Sequence, residues 1–199
     1  MYDEMRRLVL ILTAFVALLI PVSCDVLEVV APENYLDTFE LEPYSWGEFE
    51  MVRVRALHSI SKDEVMDVLV GNGWETVSVF RLDKDKNLAE VDEIVESCFL
   101  VRKQDELVQY GLDMGRYEEL PFAYNDEDNS ISLSPSFYTG GHMGGKIVHM
   151  TDNIMVCVSS NGLPDYQGRP MIYMEIFHKV SRKTLKDWKE KCPKPGLWV

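Results

Sequence analysis

The sequence predicts an all-β chain, an antiparallel up-and-down eight-stranded barrel with a short N-terminal helix and a C-terminal helix. Three observations predict it. After Trp74 the apolar residues recur every second position, the period of a half-buried strand, and keep doing so to Lys179. Eight such runs follow one another, separated only by hairpin-length turn signals such as Asp83-Lys84-Asp85-Lys86-Asn87, Thr151-Asp152-Asn153 and Asn161-Gly162-Leu163-Pro164. No helix-length segment lies between them, so parallel βαβ units are excluded. An open meander of eight strands would expose two edges, and closure into a barrel removes both.

The elements follow in order. Residues 1–23 read as a secretory signal peptide. Arg6-Arg7 is a basic n-region, Leu8 to Ile20 is an apolar run of 13 residues, and Ser23 is a small residue ahead of Cys24. Asp3 and Glu4 interrupt the basic region, which points to Met5 as the translation start. The apolar run is too short to span a bilayer, which takes about 20 residues. Ser23-Cys24 resembles a bacterial lipobox, which makes Cys24 the expected lipidation site; ordinary secretory cleavage is the other reading. Either way the mature chain belongs outside the cytoplasm; with Cys24 lipidated it is expected in the cell envelope, meeting a membrane through its lipid anchor only.

Residues 24–60 carry many acids together with Pro32 and Pro43, the composition of a lipoprotein tether or irregular N-terminal arm, with one strand over Glu48 to Arg55. Residues 61–192 hold the barrel and its helices, and 193–199 are a tail. Ser61-Lys62-Asp63-Glu64 is a Ser-x-x-Glu capping box that opens a helix over 62–70, stopped by Gly71 and Gly73. The strands are expected at Glu75–Leu82, Ser97–Arg102, Glu106–Leu112, Leu120–Asn125, Ser130–Ser134, Gly145–Met150, Asn153–Ser159 and Met171–Lys179. Leu185 and Trp188 among charges predict a closing amphipathic helix over 181–191.

Composition narrows the function classes. With 46% hydrophobic residues in 199 the chain has material for one core, and wholesale disorder is excluded. A net charge of −13 repels polyanions, so no nucleic-acid partner is expected. With Cys24 lipidated, Cys98, Cys157 and Cys192 remain, for one disulfide and one thiol or for three buried thiols.

The succession of helix, Gly73-Trp74, eight strands and trailing helix resembles a lipocalin-type barrel, in particular the small lipocalin-like lipoproteins of Gram-negative bacteria. The stretches Phe122 to Leu133 and Lys146 to Val156, the second containing the Thr151-Asp152-Asn153 turn, are similar to two hairpins of that group. The Gly-x-Trp of classical lipocalins is replaced by Asn72-Gly73-Trp74. The resemblance covers about residues 61–191 and implies extracytoplasmic small-molecule binding. It also implies that Trp74 plugs the barrel end away from the mouth, with Lys179 or Arg182 over its ring.

No catalytic residue, metal site or cofactor is expected. The four histidines, His58, His142, His149 and His178, lack metal-site spacing, and consecutive Asp126, Glu127 and Asp128 read as a solvated turn. His142 lies in Gly140-Gly141-His142-Met143-Gly144-Gly145, a glycine-rich rim loop or a lid. Tyr110, Phe122, Tyr124, Tyr138 and Tyr173 are the expected ligand-binding residues, apolar bodies with polar tips for a small apolar or amphipathic ligand. The same aromatics suit a barrel filled by its own side chains, and the alternative function is a packed interaction module that contacts another envelope protein.

Overall fold

The computed structural model describes residues 31–91, 98–133 and 144–195. The expected signal segment, Cys24, Tyr138 and His142 lie outside the described residues. The chain divides after Asn34 into two compact units, and the strands belong to the second, Tyr35–Val199.

The arm departs from the sequence expectation. After a 3₁₀ turn, Pro32–Thr38, β1 (Phe39–Trp46) and β2 (Phe49–Ala56) form a fully paired antiparallel hairpin that turns at Gly47, whose φ is +61°. Sequence reasoning expected only the second strand, because Pro43 reads as a breaker. Its fault is physical. β1 pairs with nothing but β2, and an edge strand tolerates a residue without an N–H.

Helix α1 (Lys62–Leu69) forms as expected. Ser61 Oγ accepts from Glu64 N at 3.3 Å while Glu64 Oε2 accepts from Ser61 N at 2.9 Å, and Gly71 follows the helix at φ +79°. The helix buries Val65, Met66 and Leu69. The barrel strands are then β3 (Gly73–Leu82), β5 (Cys98–Lys103), β6 (Glu106–Gly111), β7 (Arg116–Asn125), β8 (Ser130–Leu133), β9 (Gly144–Met150), β10 (Ile154–Pro164) and β11 (Pro170–Lys179). A short β4 (Leu88–Glu90) runs beside the far end of β3. Each strand pairs antiparallel with the next, and β11 returns to β3 from Ile172↔Leu82 to Lys179↔Trp74, so the eight-stranded barrel is closed.

Outside the barrel, α2 (Arg182–Lys191) lays Trp188 on Tyr110, and β12 (Lys194–Pro195) pairs with the start of β7. Gly73 makes the helix approach possible, because a Cβ there would meet Val180 Cγ2 at 2.8 Å and Leu185 Cδ1 at 3.1 Å. On the other flank β2 lies against β9, β10 and β11. Val156, Val158, Ile172, Met174 and Ile176 are buried there although none points into the barrel.

The linker between hairpin and helix is held by Asn129 and by the Tyr124 hydroxyl, which donates to Ile60 O. Asn129 sits at φ +55°, and its side chain donates to His58 O (2.6 Å) and Ile147 O (3.1 Å) and accepts from Ile60 N (3.1 Å). The acidic tip beside it is exposed, as expected, while Asn129 itself is buried.

Candidate functional site

Register places two columns of side chains in the lumen. Met155, Cys157 and Ser159 on β10 stand opposite Phe177, Glu175 and Tyr173 on β11. Trp74, fully buried, lies in one apolar cluster with Val65, Met66, Leu69 and Phe99, so helix and tryptophan close one end together. Among the described residues no cation covers its ring. Among the described residues the cation–ring contacts are Arg53 on Tyr44 at 5.6 Å and Lys86 on Phe39 at 4.5 Å.

Among the described residues, the opening found inside is small. The lumen cavity, lined by Leu69, Leu107, Phe122, Met155, Cys157 and Glu175 among others, measures about 30 Å³. That is room for one or two waters, whereas ordinary ligand pockets start near 300 Å³. Among the described residues the inward side chains fill the barrel to within the volume of that cavity. Glu175 is the exception to its apolar character. No hydrogen bond or ion pair reaches its carboxylate among the described residues, and burial pushes its pKa up to about 6. Burial, with the Glu175 charge beside it, also raises the Cys157 thiol. Cys98, Cys157 and Cys192 are all unbridged.

The expected ligand residues do not converge. Phe122 lines the lumen cavity, and Tyr173 shares the inward face of β11 with Glu175. Tyr124 joins the same core, but its hydroxyl is taken up by Ile60 O at 2.8 Å, and burial pushes its pKa up to about 12. Tyr110 points out of the barrel, its ring 5.8 Å from that of Trp188 beneath α2. Sequence reasoning missed Glu175, although Tyr173-x-Glu175-x-Phe177 puts a carboxylate in the inward register of an apolar strand.

A larger concavity lies on the flank. Between the hairpin and the β8–β9–β10 edge is a pocket of about 320 Å³, with Tyr44, Arg53, Val54, Ser130, Lys146 and Ser160 in its wall. It shares Ile131, Gly145 and Ser159 with the lumen cavity. Ladder pairing between β9 and β10 ends at Val158↔Lys146, and a Cβ on Gly145 would sit 2.9 Å from Val158 O. Only glycine allows that approach. Ser160 Oγ donates to Val52 O at 2.8 Å and ties the hairpin to β10.

The hairpin also carries three exposed aromatics. Trp46 and Phe49, stacked with centroids 6.2 Å apart, are 50% and 42% exposed at its tip, and Tyr44 is exposed beside them. A Cβ on Gly168 would be 3.5 Å from Phe49, so the turn that holds Tyr166, 92% exposed, adjoins the tip. That turn is rigid: Asp165 accepts from Arg81 and Arg169 side chains and from two backbone amides, which hold its carboxyl well below the usual range. Among the described residues no group of three potential ligands is placed to hold a metal.

Comparison with protein-family models, with curated proteins and with solved structures finds no match, and the closed antiparallel barrel is consistent with a calycin-like fold.

Proposed function

We propose that this is an extracytoplasmic, lipid-anchored binding module that works from the outside of a packed barrel, through the hairpin, on another protein of the cell envelope. The contrast between a lumen of about 30 Å³ and a hairpin tip with Trp46 half exposed carries this reading. Tryptophan and tyrosine anchors dominate interface energetics because they bury large areas at little entropic cost, and monomers seldom leave stacked aromatics in water without use. The acidic body keeps the module from polyanions and leaves the aromatic tip as its adhesive surface. Lipidation of Cys24 would hold it at the membrane, since acyl chains contribute about 0.8 kcal/mol per buried CH₂.

The test is a photoreactive amino acid at position 46, in cells of the native host. It should crosslink to one envelope protein, and the same probe at exposed Glu119 on the far wall should not. Equal, diffuse labelling from both positions would remove the reading.

A second reading, binding of a small amphipathic ligand, is favoured by the flank pocket, whose volume of about 320 Å³ reaches the ligand range that the lumen does not.

A further inference from the structure

We propose that the flank pocket is a site for a small amphipathic carboxylate, with Arg53 as the receptor for its anionic group. The inference rests on the small-ligand reading above and gives it a chemistry.

The argument starts from charge. The chain holds 33 acidic and 20 basic residues, yet among the described residues the pocket wall contains Arg53 and Lys146 and no carboxylate. Cross-strand register puts Glu42 opposite Arg53, which ought to neutralise it. It does not, because Arg55 takes Glu42 through Nε at 2.6 Å and Glu40 through Nη2. Arg53 is left with the Tyr44 ring, and a guanidinium over an aromatic face keeps its hydrogen-bonding edge available.

Lys146 pairs with Asp128, so its charge is largely cancelled, and Arg53 sets the sign of the pocket. Ser130 Oγ is engaged by Asp128 and Ser160 Oγ by Val52 O, which leaves the Ser159 hydroxyl as an uncommitted donor where the flank pocket meets the lumen. Val54, Ile131 and Val158 supply apolar wall for the body of the ligand. A planar fork of donors and a carboxylate match two-to-two, which favours a carboxylate over a single-point anion.

Glu175 argues for the opposite ligand charge, and magnitudes decide. It lines only the lumen cavity of about 30 Å³, too small for the body of any amphipath, and it shares no wall position with the pocket except through Ile131, Gly145 and Ser159. A ligand in the flank pocket therefore meets Arg53 first.

The experiment uses the purified protein, titrated below micellar concentrations with decanoate, decanol and decylammonium at pH 7.5 and read by calorimetry. Decanoate should bind at least tenfold more tightly than decanol, with decylammonium weakest. Arg53→Gln should erase that advantage and leave decanol binding and the melting temperature unchanged, because Arg53 is exposed and unpaired by any carboxylate. Arg53→Lys should recover part of it. Equal affinity for decanoate and decanol would overturn the carboxylate site while the small-ligand reading stands. Tightest binding of decylammonium would also overturn it and hand the site to Glu175. Binding of none of the three would overturn the small-ligand reading itself.

Discussion

The β7 wall and the β10–β11 wall of the barrel share an interior but not an exterior. Along β7 Leu120, Phe122 and Tyr124 are buried while Glu119, Pro121, Ala123 and Asn125 are exposed, so one face meets the core and the other meets water. Along β10 Ile154, Met155, Val156 and Val158 are all buried, and on β11 Ile172, Met174 and Ile176 are buried on the face opposite Phe177. The second wall is sandwiched between lumen and hairpin. A barrel that needed only itself would be alternating throughout, so the continuous apolar run at 154–158 marks where another element must sit. Here that element is the hairpin, and with it come the flank pocket and the exposed aromatics.

The sharpest way to break this comparison is to place the same charge on the outer face of each wall. Val158→Asp buries a carboxylate under the hairpin, opposite a Lys146 that Asp128 already holds, and should cost upwards of about 4 kcal/mol. Ala123→Asp, facing water on β7, should stay within about 0.5 kcal/mol. Urea unfolding of the two variants checks both, and similar losses would mean the hairpin does not cover β10.

Trp74→Ala removes the floor common to both walls and should cost about 3–5 kcal/mol in the same assay, as aromatic truncations in cores do. Asn129→Ala leaves three backbone groups of the linker and β9 without partners and puts alanine at a positive φ. About 4 kcal/mol is expected, measured by thermal unfolding, from three bonds worth about 1 kcal/mol each and left-handed strain of about 1 more. A loss under 1 kcal/mol would show that the linker is held elsewhere.

Glu175 gives a pH-dependent comparison. Its folded pKa, about 6, is above that of an unfolded glutamate, so the folded state binds the proton more tightly. Stability is therefore full below the unfolded value near 4.3 and falls as pH rises through about 6. Glu175→Gln should stabilise the protein by about 2 kcal/mol at pH 8 and by nothing measurable at pH 4. A constant difference across that range would place Glu175 in water. Ser160→Ala removes the β10 hydroxyl bond to Val52 O of the hairpin and should cost about 1 kcal/mol, with the loss seen first as faster amide exchange in β2.

The sequence carried most of the barrel because its strands are defined locally, by period 2 and by turn residues such as Thr151-Asp152-Asn153. The capping box of Ser61 and Glu64 was equally readable, since both partners lie within one helical turn. Three things were not. β1 was hidden by Pro43, whose tolerance depends on having no neighbour beyond β2. The burial of Asn129 depends on a linker some 70 positions away, and no local pattern reports it. The fullness of the lumen depends on how inward side chains interdigitate, and Phe122, Tyr124 and Tyr173 would be spaced the same way around a cavity. Tyr110 was misplaced by parity alone. Leu107 points inward, and so Tyr110, three positions on, points to α2.

That recognition happens at the hairpin and not in the lumen is tested most directly by native mass spectrometry of the protein from its own host, as wild type and as the Trp46→Ala/Phe49→Ala variant. The account predicts a bound envelope protein on the wild type and its loss from the variant. A bound small apolar molecule retained in full by the variant, and displaced when Cys157→Val fills the lumen cavity, would contradict it.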